Sequence, residues 1–242
     1  MYLQEFVDQK LTFKYHDKLN SKFWTDEKLD PKVRVRLIQI ANEWSKFASI
    51  PKESIKDIIF VGGNSNYNYT EYSDIDLHLV VDKDKLPDCP DLIDDYLIDK
   101  KRLWSLTHDI KIYGHDVELY AEESGAERPA NQGVYSVKFN KWVVKPEKGS
   151  LEIDEVLLKS KTRAMMDKID FLIKNRSDDV TEFKKLKTKI KDMRSSGIRK
   201  GGEFSIENLV FKELRNRGYL DKLSTYITKI QDRSLSLENY VY

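Results

Sequence analysis

The fold of this chain is decided by the stretch IIFVGGNSNYNYTEYSDIDLHLVVD, which runs from Ile58 to Asp82. In this stretch two apolar runs enclose a polar loop that begins with Gly62-Gly63. The second run starts at Asp74-Ile75-Asp76 and then alternates apolar with polar residues, a pattern typical of a half-buried β-strand. Because residues two apart on a strand point to the same face, we expect Asp74 and Asp76 to present their carboxylates side by side.

The loop and the two acids together predict a site for a divalent metal and a nucleoside triphosphate. Paired carboxylates repel each other and are costly to hold together unless a cation lies between them. A glycine turn lets a phosphate approach the backbone closely. We therefore expect backbone N–H groups around Gly62, Gly63, Asn64 and Ser65 to bind phosphate, with hydroxyl donors added by Ser65 and Ser73.

A third acid at the right place would complete such a site, and Glu118 is the best candidate. It lies on the polar side of the run HDVELYA, where a carboxylate normally needs a partner or a metal. The apolar patterns predict strands over residues 57–62, 75–81 and 115–121. If these strands lie side by side in one sheet, Asp74, Asp76 and Glu118 converge.

Three converging carboxylates can hold two Mg²⁺ ions about 3.5–4 Å apart, the arrangement used for in-line phosphoryl displacement. Magnesium prefers carboxylate, phosphate and water oxygens, which this set of residues offers, and Mn²⁺ is expected to substitute. One ion would lower the pKa of an attacking hydroxyl, and the other would bind the triphosphate and neutralise the leaving pyrophosphate. The sequence thus predicts an enzyme that uses ATP or another NTP.

Simpler interpretations exist for each part of the pattern. An Asp-x-Asp alone usually marks a turn or a solvated strand end, and a Gly-Gly pair alone usually marks a turn. The loop matches neither a Walker A sequence nor a Rossmann glycine fingerprint. The single cysteine, Cys89, excludes an intramolecular disulfide and any zinc site built on several thiolates.

The composition fits a globular protein of one large or two small domains. The chain has 242 residues, of which 40% are hydrophobic and 34% charged, with a net charge of +1. That balance gives no general reason to expect binding to nucleic acid or membranes. We expect no transmembrane helix, because no run of about eighteen apolar residues occurs. The N-terminus lacks the features of a signal peptide, so a cytoplasmic location is expected.

Elsewhere the periodicity predicts mainly helices. We expect helices over residues 31–48, 91–107, 151–174, 178–196, 205–217 and 219–231, and one or two strands within 133–145. Gly197 and Gly218 lie where helix C-caps belong. The predicted fold class is α+β: a small mixed sheet flanked by helices, followed by a C-terminal helical domain. The expected domains are 1–148, which includes an N-terminal helical arm, and 149–242.

Three motifs resemble the signature of the polymerase-beta-like nucleotidyltransferase superfamily. They are Gly62-Gly63 after a strand, Asp74-Ile75-Asp76-Leu77 on the next strand, and Val117-Glu118-Leu119 on a third. The resemblance implies that Asp74 and Asp76 bind both metals, while Glu118 binds one and helps to activate the acceptor hydroxyl. It implies that Gly62 and Gly63 bind the triphosphate. The stretches NYNYTEYSDIDLHLVVD and GEFSIENLVFKELR are similar to predicted nucleotidyltransferases of bacteriophage genomes, which extends the expected location to an infected bacterial cell.

The acceptor of the transferred nucleotide stays open at this stage. Residues 159–200 carry fourteen Lys or Arg against six Asp or Glu, a balance that favours an RNA or tRNA 3′ end. An ordinary solvated helix face has the same appearance, and a protein or small molecule is an alternative acceptor. Another alternative is a catalytically silent, nucleotidyltransferase-like accessory protein that binds nucleic acid.

Overall fold

The central strand of the structure is built from the alternating residues Ile75–Val81. Ile75, Leu77, Leu79 and Val81 are all completely buried on one side of this strand. The side chains between them point to the other face, where Asp76 and His78 are only partly buried. The strand therefore places a hydrophobic face against the core and a polar face on the opposite side of the sheet.

The structure is a computed structural model that describes residues 10–86, 90–126, 132–148, 153–175 and 179–237. It contains a two-stranded hairpin and a six-stranded mixed sheet. The strands are β1 (Trp24–Thr25), β2 (Lys28–Leu29), β3 (Ile55–Val61), β4 (Ile75–Val81), β5 (Lys111–Ile112), β6 (His115–Glu123), β7 (Val134–Ser136) and β8 (Lys141–Val144). The large sheet has the order β5-β6-β4-β3-β7-β8, in which β4 and β6 are parallel and the other neighbours antiparallel.

Six α-helices complete the described part of the chain. They are α1 (Pro31–Phe47), α2 (Pro90–Thr107), α3 (Glu155–Lys174), α4 (Val180–Gly201), α5 (Ile206–Asn216) and α6 (Tyr219–Leu235). Helix α1 begins as the sequence predicts, because the Asp30 carboxylate accepts hydrogen bonds from the backbone N–H groups of Lys32 and Val33. Helices α1 and α2 contribute Trp44 and Trp104 to the core that covers the apolar face of the sheet.

The predicted α+β class is confirmed. The prediction that three strands lie side by side is confirmed as well, since β6, β4 and β3 are neighbours in the sheet.

The prediction that Gly197 ends a helix was wrong, because α4 continues to Gly201 and ends at Gly202, whose φ is +69°. Gly197 is buried inside the helix instead. An added Cβ there would lie 2.6 Å from the Glu207 Cβ, so the glycine is needed for close packing. Gly218 does have the expected left-handed conformation, with φ +74°.

The chain divides into two compact units, Lys14–Gly149 and a helical unit made of Met1–Phe13 and Ser150–Tyr242. Residues 10–13 thus group with the helices, whereas we expected the whole N-terminal arm to accompany the sheet. Residues 10–30 form turns and the β1–β2 hairpin. Residues 1–9 and Cys89 lie outside the described residues. Within the described ranges, no helix is both long enough and apolar enough to span a membrane.

Within the helical unit, a buried carboxylate of helix α5 holds residues 10–13 in place. Glu213 of α5 is fully buried, and its Oε1 accepts hydrogen bonds from the Thr12 N–H (2.7 Å), the Thr12 hydroxyl (2.7 Å) and the Phe13 N–H (2.8 Å). Its Oε2 pairs with the Arg217 guanidinium at 3.0 Å. Arg217 in turn donates to the Lys10 carbonyl at 2.7 Å. One acid therefore satisfies donors from two parts of the sequence about 200 residues apart.

We predict that Glu213→Gln lowers the free energy of unfolding by about 2–4 kcal/mol, because the amide keeps only one acceptor oxygen, so that either Arg217 or the Thr12 and Phe13 donors face an N–H group in a buried site. Glu155→Gln is the matched control, since Glu155 is exposed and its contact with Lys159 is a 3.4 Å surface pair. Urea unfolding followed by circular dichroism measures both variants. Equal stability of the two variants would show that the hydrogen bonds of Glu213 to residues 12 and 13 do not stabilise the fold.

Candidate functional site

The glycine loop begins where β3 ends and turns back sharply at Gly62. The φ of Gly62 is +82°, a left-handed value that other residues adopt only at a cost. Its carbonyl oxygen accepts hydrogen bonds from the Ser65 hydroxyl at 2.9 Å and from the Asn66 amide at 2.6 Å. The loop is therefore held by its own side chains in a single conformation.

Asn64 connects this loop to the segment that carries the acids. Its side chain is completely buried, and its amide donates to the carbonyl oxygens of Ser73 (2.9 Å) and Asp74 (3.1 Å). Its own Oδ1 accepts from Asn20 at 2.9 Å, while its backbone carbonyl accepts from the Trp24 indole at 2.7 Å. These bonds fix the backbone just before β4 and hence the position of Asp74.

His115, at the start of β6, supports the same segment. Its Nδ1 lies 2.7 Å from the Ser73 carbonyl oxygen, and its Nε2 lies 3.2 Å from the Lys22 ammonium. A carbonyl only accepts and an ammonium only donates, so the hydrogen bonds assign the proton of the neutral ring to Nδ1. The histidine thus has a structural role beneath the site.

The register of the two parallel strands brings the acids together. Asp76 of β4 is directly opposite Glu118 of β6, and both side chains are on the face away from the core. Asp76 also lies against the backbone of Gly62, since an added Cβ there would be 1.7 Å from the Asp76 Oδ2. Any residue other than glycine at position 62 would displace this carboxylate.

Glu118 has a cationic neighbour that the sequence did not reveal. The Lys101 Nζ, on α2, lies 3.1 Å from the Glu118 Oε2 and 5.8 Å from the centroid of the Tyr120 ring. The Glu118 side chain is 48% exposed and the Lys101 side chain 31% exposed. The ammonium supplies a positive charge at the place where we expected a metal ion.

The polar face continues along β4 and β6 past the acids. His78 Nδ1 lies 2.9 Å from the Glu122 Oε2, and its ring contacts Tyr120 edge to face at 5.3 Å between centroids. His78 is therefore paired within the sheet. Beside it, Ile59 and Val61 of β3 form a small buried apolar cluster on the same face.

The donor set fits magnesium by its chemistry, because carboxylate oxygens are the ligands that this ion prefers. The register places two of the three predicted ligands side by side, and Asp74 directly precedes the same strand. In the parts of the chain that the structure describes, no three His, Cys, Asp or Glu side chains are yet arranged to hold a metal ion. The site thus has suitable ligands, and Lys101 engages one of them.

Among the residues predicted to bind phosphate, Gly63 and Ser73 pack against each other, whereas Asn64 and Ser65 are buried. Gly63 packs against Ser73, whose Oγ would lie 2.9 Å from an added Cβ, and the Ser73 Oγ accepts from the Thr70 N–H at 2.9 Å. Asn64 and Ser65 are fully buried, and their side chains form bonds within the fold. Any contact of these two residues with a nucleotide would come from their backbone, and that contact stays a prediction.

The three tyrosines of the loop also differ in their environment. Tyr67 is buried, and this burial raises the pKa of its hydroxyl. Tyr69 stacks on His16 at 3.8 Å between ring centroids, and its pKa is raised by burial as well. Tyr72 is 46% exposed, so it is the loop tyrosine whose ring is most open to stacking on a base.

Residues far along the chain complete the loop, and sequence analysis missed them. Gly133 donates its N–H to the Asn66 Oδ1 at 2.8 Å, and an added Cβ on Gly133 would lie 2.3 Å from the Ser65 carbonyl oxygen. Position 133 therefore requires glycine. No periodicity or spacing signals a contact between residues 67 positions apart, and the same is true of the pairing of Lys101 with Glu118.

Comparison with known proteins adds little to this geometry. No protein-family model and no curated protein matches the chain. The chain is similar to a solved structure of the STING-associated CdnE c-di-GMP synthase from Capnocytophaga granulosa, at 13% sequence identity. The match covers 85% of this chain and 83% of that one, with a TM-score of 0.21. A TM-score this low does not establish a common fold, so the function has to be inferred from the site itself.

We predict that Gly62→Ala destabilises the protein by about 2–3 kcal/mol, through a left-handed backbone and a displaced Asp76. Gly114→Ala is the matched control, because Gly114 has φ +84° but nothing within 4 Å of an added Cβ. The control should lose only about 1 kcal/mol of stability, the cost of holding alanine in a left-handed backbone conformation. Thermal and urea unfolding compare the two, and equal losses would contradict the close contact between Gly62 and Asp76.

Proposed function

We propose that this protein is a Mg²⁺-dependent nucleotidyltransferase, which moves an NMP from an NTP to an acceptor hydroxyl and releases pyrophosphate. The observation that carries the proposal is the register of β4 and β6. It places Asp76 opposite Glu118, next to a left-handed glycine turn that has no side chain. Adjacent acids beside an open backbone turn suit a polyanion that arrives with its metal ions.

Each part of the site has a role in this reaction. Backbone N–H groups of the Gly62-Gly63 turn would bind the β- and γ-phosphates, with the Ser73 hydroxyl beside them. Asp74, Asp76 and Glu118 would hold the metal ions, which when bound neutralise the phosphates and lower the pKa of the acceptor hydroxyl. Fixed positions of these groups account for most of the expected rate enhancement.

The chemical step is an in-line displacement at the α-phosphorus. The acceptor oxygen forms a new bond to this phosphorus, and the bond to the bridging oxygen of the β-phosphate breaks. Pyrophosphate leaves with the bonding electrons, and the proton of the acceptor hydroxyl passes to the carboxylate of Glu118. No oxidant or reductant is needed, and the reaction is balanced by NTP and acceptor alone.

An RNA or tRNA 3′ end is the acceptor that the charge distribution favours. Helix α4 exposes six lysines while Phe183, Leu186 and Ile190 form its buried stripe. The exposed lysines are Lys184, Lys185, Lys187, Lys189, Lys191 and Lys200. A row of cations on a rigid helix can follow a phosphate backbone without reading its sequence.

We predict that Asp76→Asn and Asp74→Asn each reduce NMP transfer by about 10²–10³-fold or more, because each removes a metal ligand. Label transfer from each α-³²P-NTP is measured with Mg²⁺ or Mn²⁺. The acceptors are total RNA, a tRNA pool, a protein extract and the enzyme alone. Melting temperatures should be unchanged or slightly raised, since the substitution relieves repulsion between like charges.

Asp116→Asn is the matched control for Glu118→Gln. Asp116 is two residues before Glu118 on the same face of β6, and it pairs with Lys111 outside the site. The control should keep full transfer while Glu118→Gln loses it. Undiminished transfer in all three site variants would overturn the proposal. Metal-dependent NTP binding without transfer to any acceptor would favour a catalytically silent binding module.

Lys101 competes with the metal for Glu118, so we predict that Lys101→Met binds Mn²⁺ about two- to five-fold more tightly in the absence of nucleotide, the range expected for a partly exposed ion pair. Lys100→Met removes the same charge one residue away, where the ammonium lies over the Phe47 and Tyr96 rings. Electron paramagnetic resonance of free Mn²⁺ measures both variants. Identical affinities would contradict competition at Glu118.

A further inference from the structure

Strand β6 carries an exposed aromatic ring beside the acid that the proposed reaction assigns to the acceptor. Tyr120 is two residues after Glu118, so the two side chains lie on the same face of the strand, about 6.6 Å apart along it. Tyr120 is 36% exposed. A single exposed ring is common on protein surfaces, but this ring borders the candidate site.

The order of the strands indicates from which side an acceptor approaches. Gly62 follows β3, Asp76 lies on the neighbouring strand β4, and Glu118 lies on β6, the next strand across the sheet. In phosphoryl transfer the attacking and leaving oxygens are roughly in line with the phosphorus. The glycine turn is proposed to bind the leaving pyrophosphate on the β3 side. The acceptor therefore has to approach from the β6 side, where Tyr120 lies.

Two neighbours orient the Tyr120 ring. His78, opposite it on β4, contacts it edge to face at 5.3 Å between ring centroids and is itself paired with Glu122. The Lys101 ammonium lies 5.8 Å from the centroid of the Tyr120 ring, near the outer limit of about 6 Å for a cation–π contact. The same ammonium is 3.1 Å from the Glu118 Oε2. When Glu118 binds a metal ion it gives up this ion pair, and Lys101 is released from the ring as well.

These groups match the parts of one nucleotide at the 3′ end of a nucleic acid. The Glu118 carboxylate suits the sugar hydroxyl that attacks, the Tyr120 ring offers a surface for stacking the base, and the Lys101 ammonium suits the phosphodiester. A hydroxyl of a protein or of a small aliphatic alcohol would use the carboxylate alone. The combination of ring and cation therefore favours a nucleic acid.

We propose that the 3′-terminal nucleotide of an RNA acceptor binds on the polar face of β6, with its base stacked on Tyr120 and its phosphodiester paired with Lys101. Every base has a π-face, so stacking positions the terminal nucleotide without selecting its sequence. Tyr120 and Lys101 are thus acceptor-binding residues. This inference rests on the proposed nucleotidyl transfer and adds to it the site at which the acceptor is held.

The first test locates the terminal base without requiring turnover. An RNA oligonucleotide with 4-thiouridine as its 3′-terminal nucleotide is irradiated with the full chain, Mn²⁺ and an α,β-methylene NTP analogue. Mass spectrometry then identifies the cross-linked residue, which is expected to be Tyr120. The same oligonucleotide with 4-thiouridine at its 5′ end should not react there. A terminal base that cross-links only to other residues, or to none, would overturn the inference.

Kinetics then separate binding of the acceptor from the chemical step. Tyr120→Leu should raise the KM for RNA about 5- to 100-fold, the range expected for the loss of one base–aromatic stack, while the KM for NTP and kcat stay close to the wild type. Tyr120→Trp should keep the low KM. Tyr113→Leu is the matched control, because Tyr113 is 55% exposed in the turn before β6. Circular dichroism confirms that the variants are folded.

The salt dependence of RNA binding tests Lys101. Lys101→Met should lower the slope of log K against log salt concentration by about 0.7, the value for one phosphate contact on a single strand. Lys100→Met is the matched control and should keep the wild-type slope. An unchanged slope in Lys101→Met would contradict its phosphate contact.

The two proposals fail in different ways. Transfer to RNA that Asp76→Asn abolishes, with the same KM for RNA in Tyr120→Leu as in the wild type, would overturn this inference and leave the proposed function intact. A wild type that transfers no NMP to any acceptor would overturn both.

Discussion

The parallel pairing of β4 with β6 is the constraint on which the rest of the site depends. It sets Asp76 opposite Glu118 and, at the same time, sets Leu77 opposite Leu119 in the core. Both leucines are almost completely buried, so a slip of one residue would place apolar side chains on the wrong face. The register of the acids is therefore enforced by the hydrophobic core, and the repulsion between the acids cannot change it.

Buried polar groups then fix the glycine loop against this framework. The Asn64 amide and Asn66 side chain satisfy backbone groups that would otherwise be buried without partners, from Ser73 and Asp74 to Gly133. Each bond is worth little by itself, but the loss of one leaves a buried donor or acceptor unpaired. Such a network gives a loop a single conformation without a hydrophobic core of its own. A loop that must approach a phosphate needs this kind of support, because it has few apolar side chains to anchor it.

The sequence predicts well what depends on local pattern. Alternation over 75–81 and a capping aspartate before Pro31 gave elements that the structure confirms. The prediction that three strands lie side by side is also confirmed, since β6, β4 and β3 are neighbours in the sheet. It could not predict contacts that depend on the tertiary fold. Lys101 reaches Glu118 from a helix, and Glu213 binds donors of the N-terminal segment that carry no sequence signal.

The error at Gly197 shows the same limit from the other side. A glycine near the end of a helical pattern predicts a helix end, because glycine is a poor helix former. In the structure the cost is offset by packing, since Ser205 and Glu207 occupy the space that a side chain would need. The sheet likewise combines packing with a functional surface. Its second face is apolar around Ile59 and Val61 and polar around Asp76 and His78, so one face provides both packing and chemistry. β3 supplies the apolar part and β4 the polar part, and the alternation of β4 allows this because every second residue can be chosen without disturbing the core beneath.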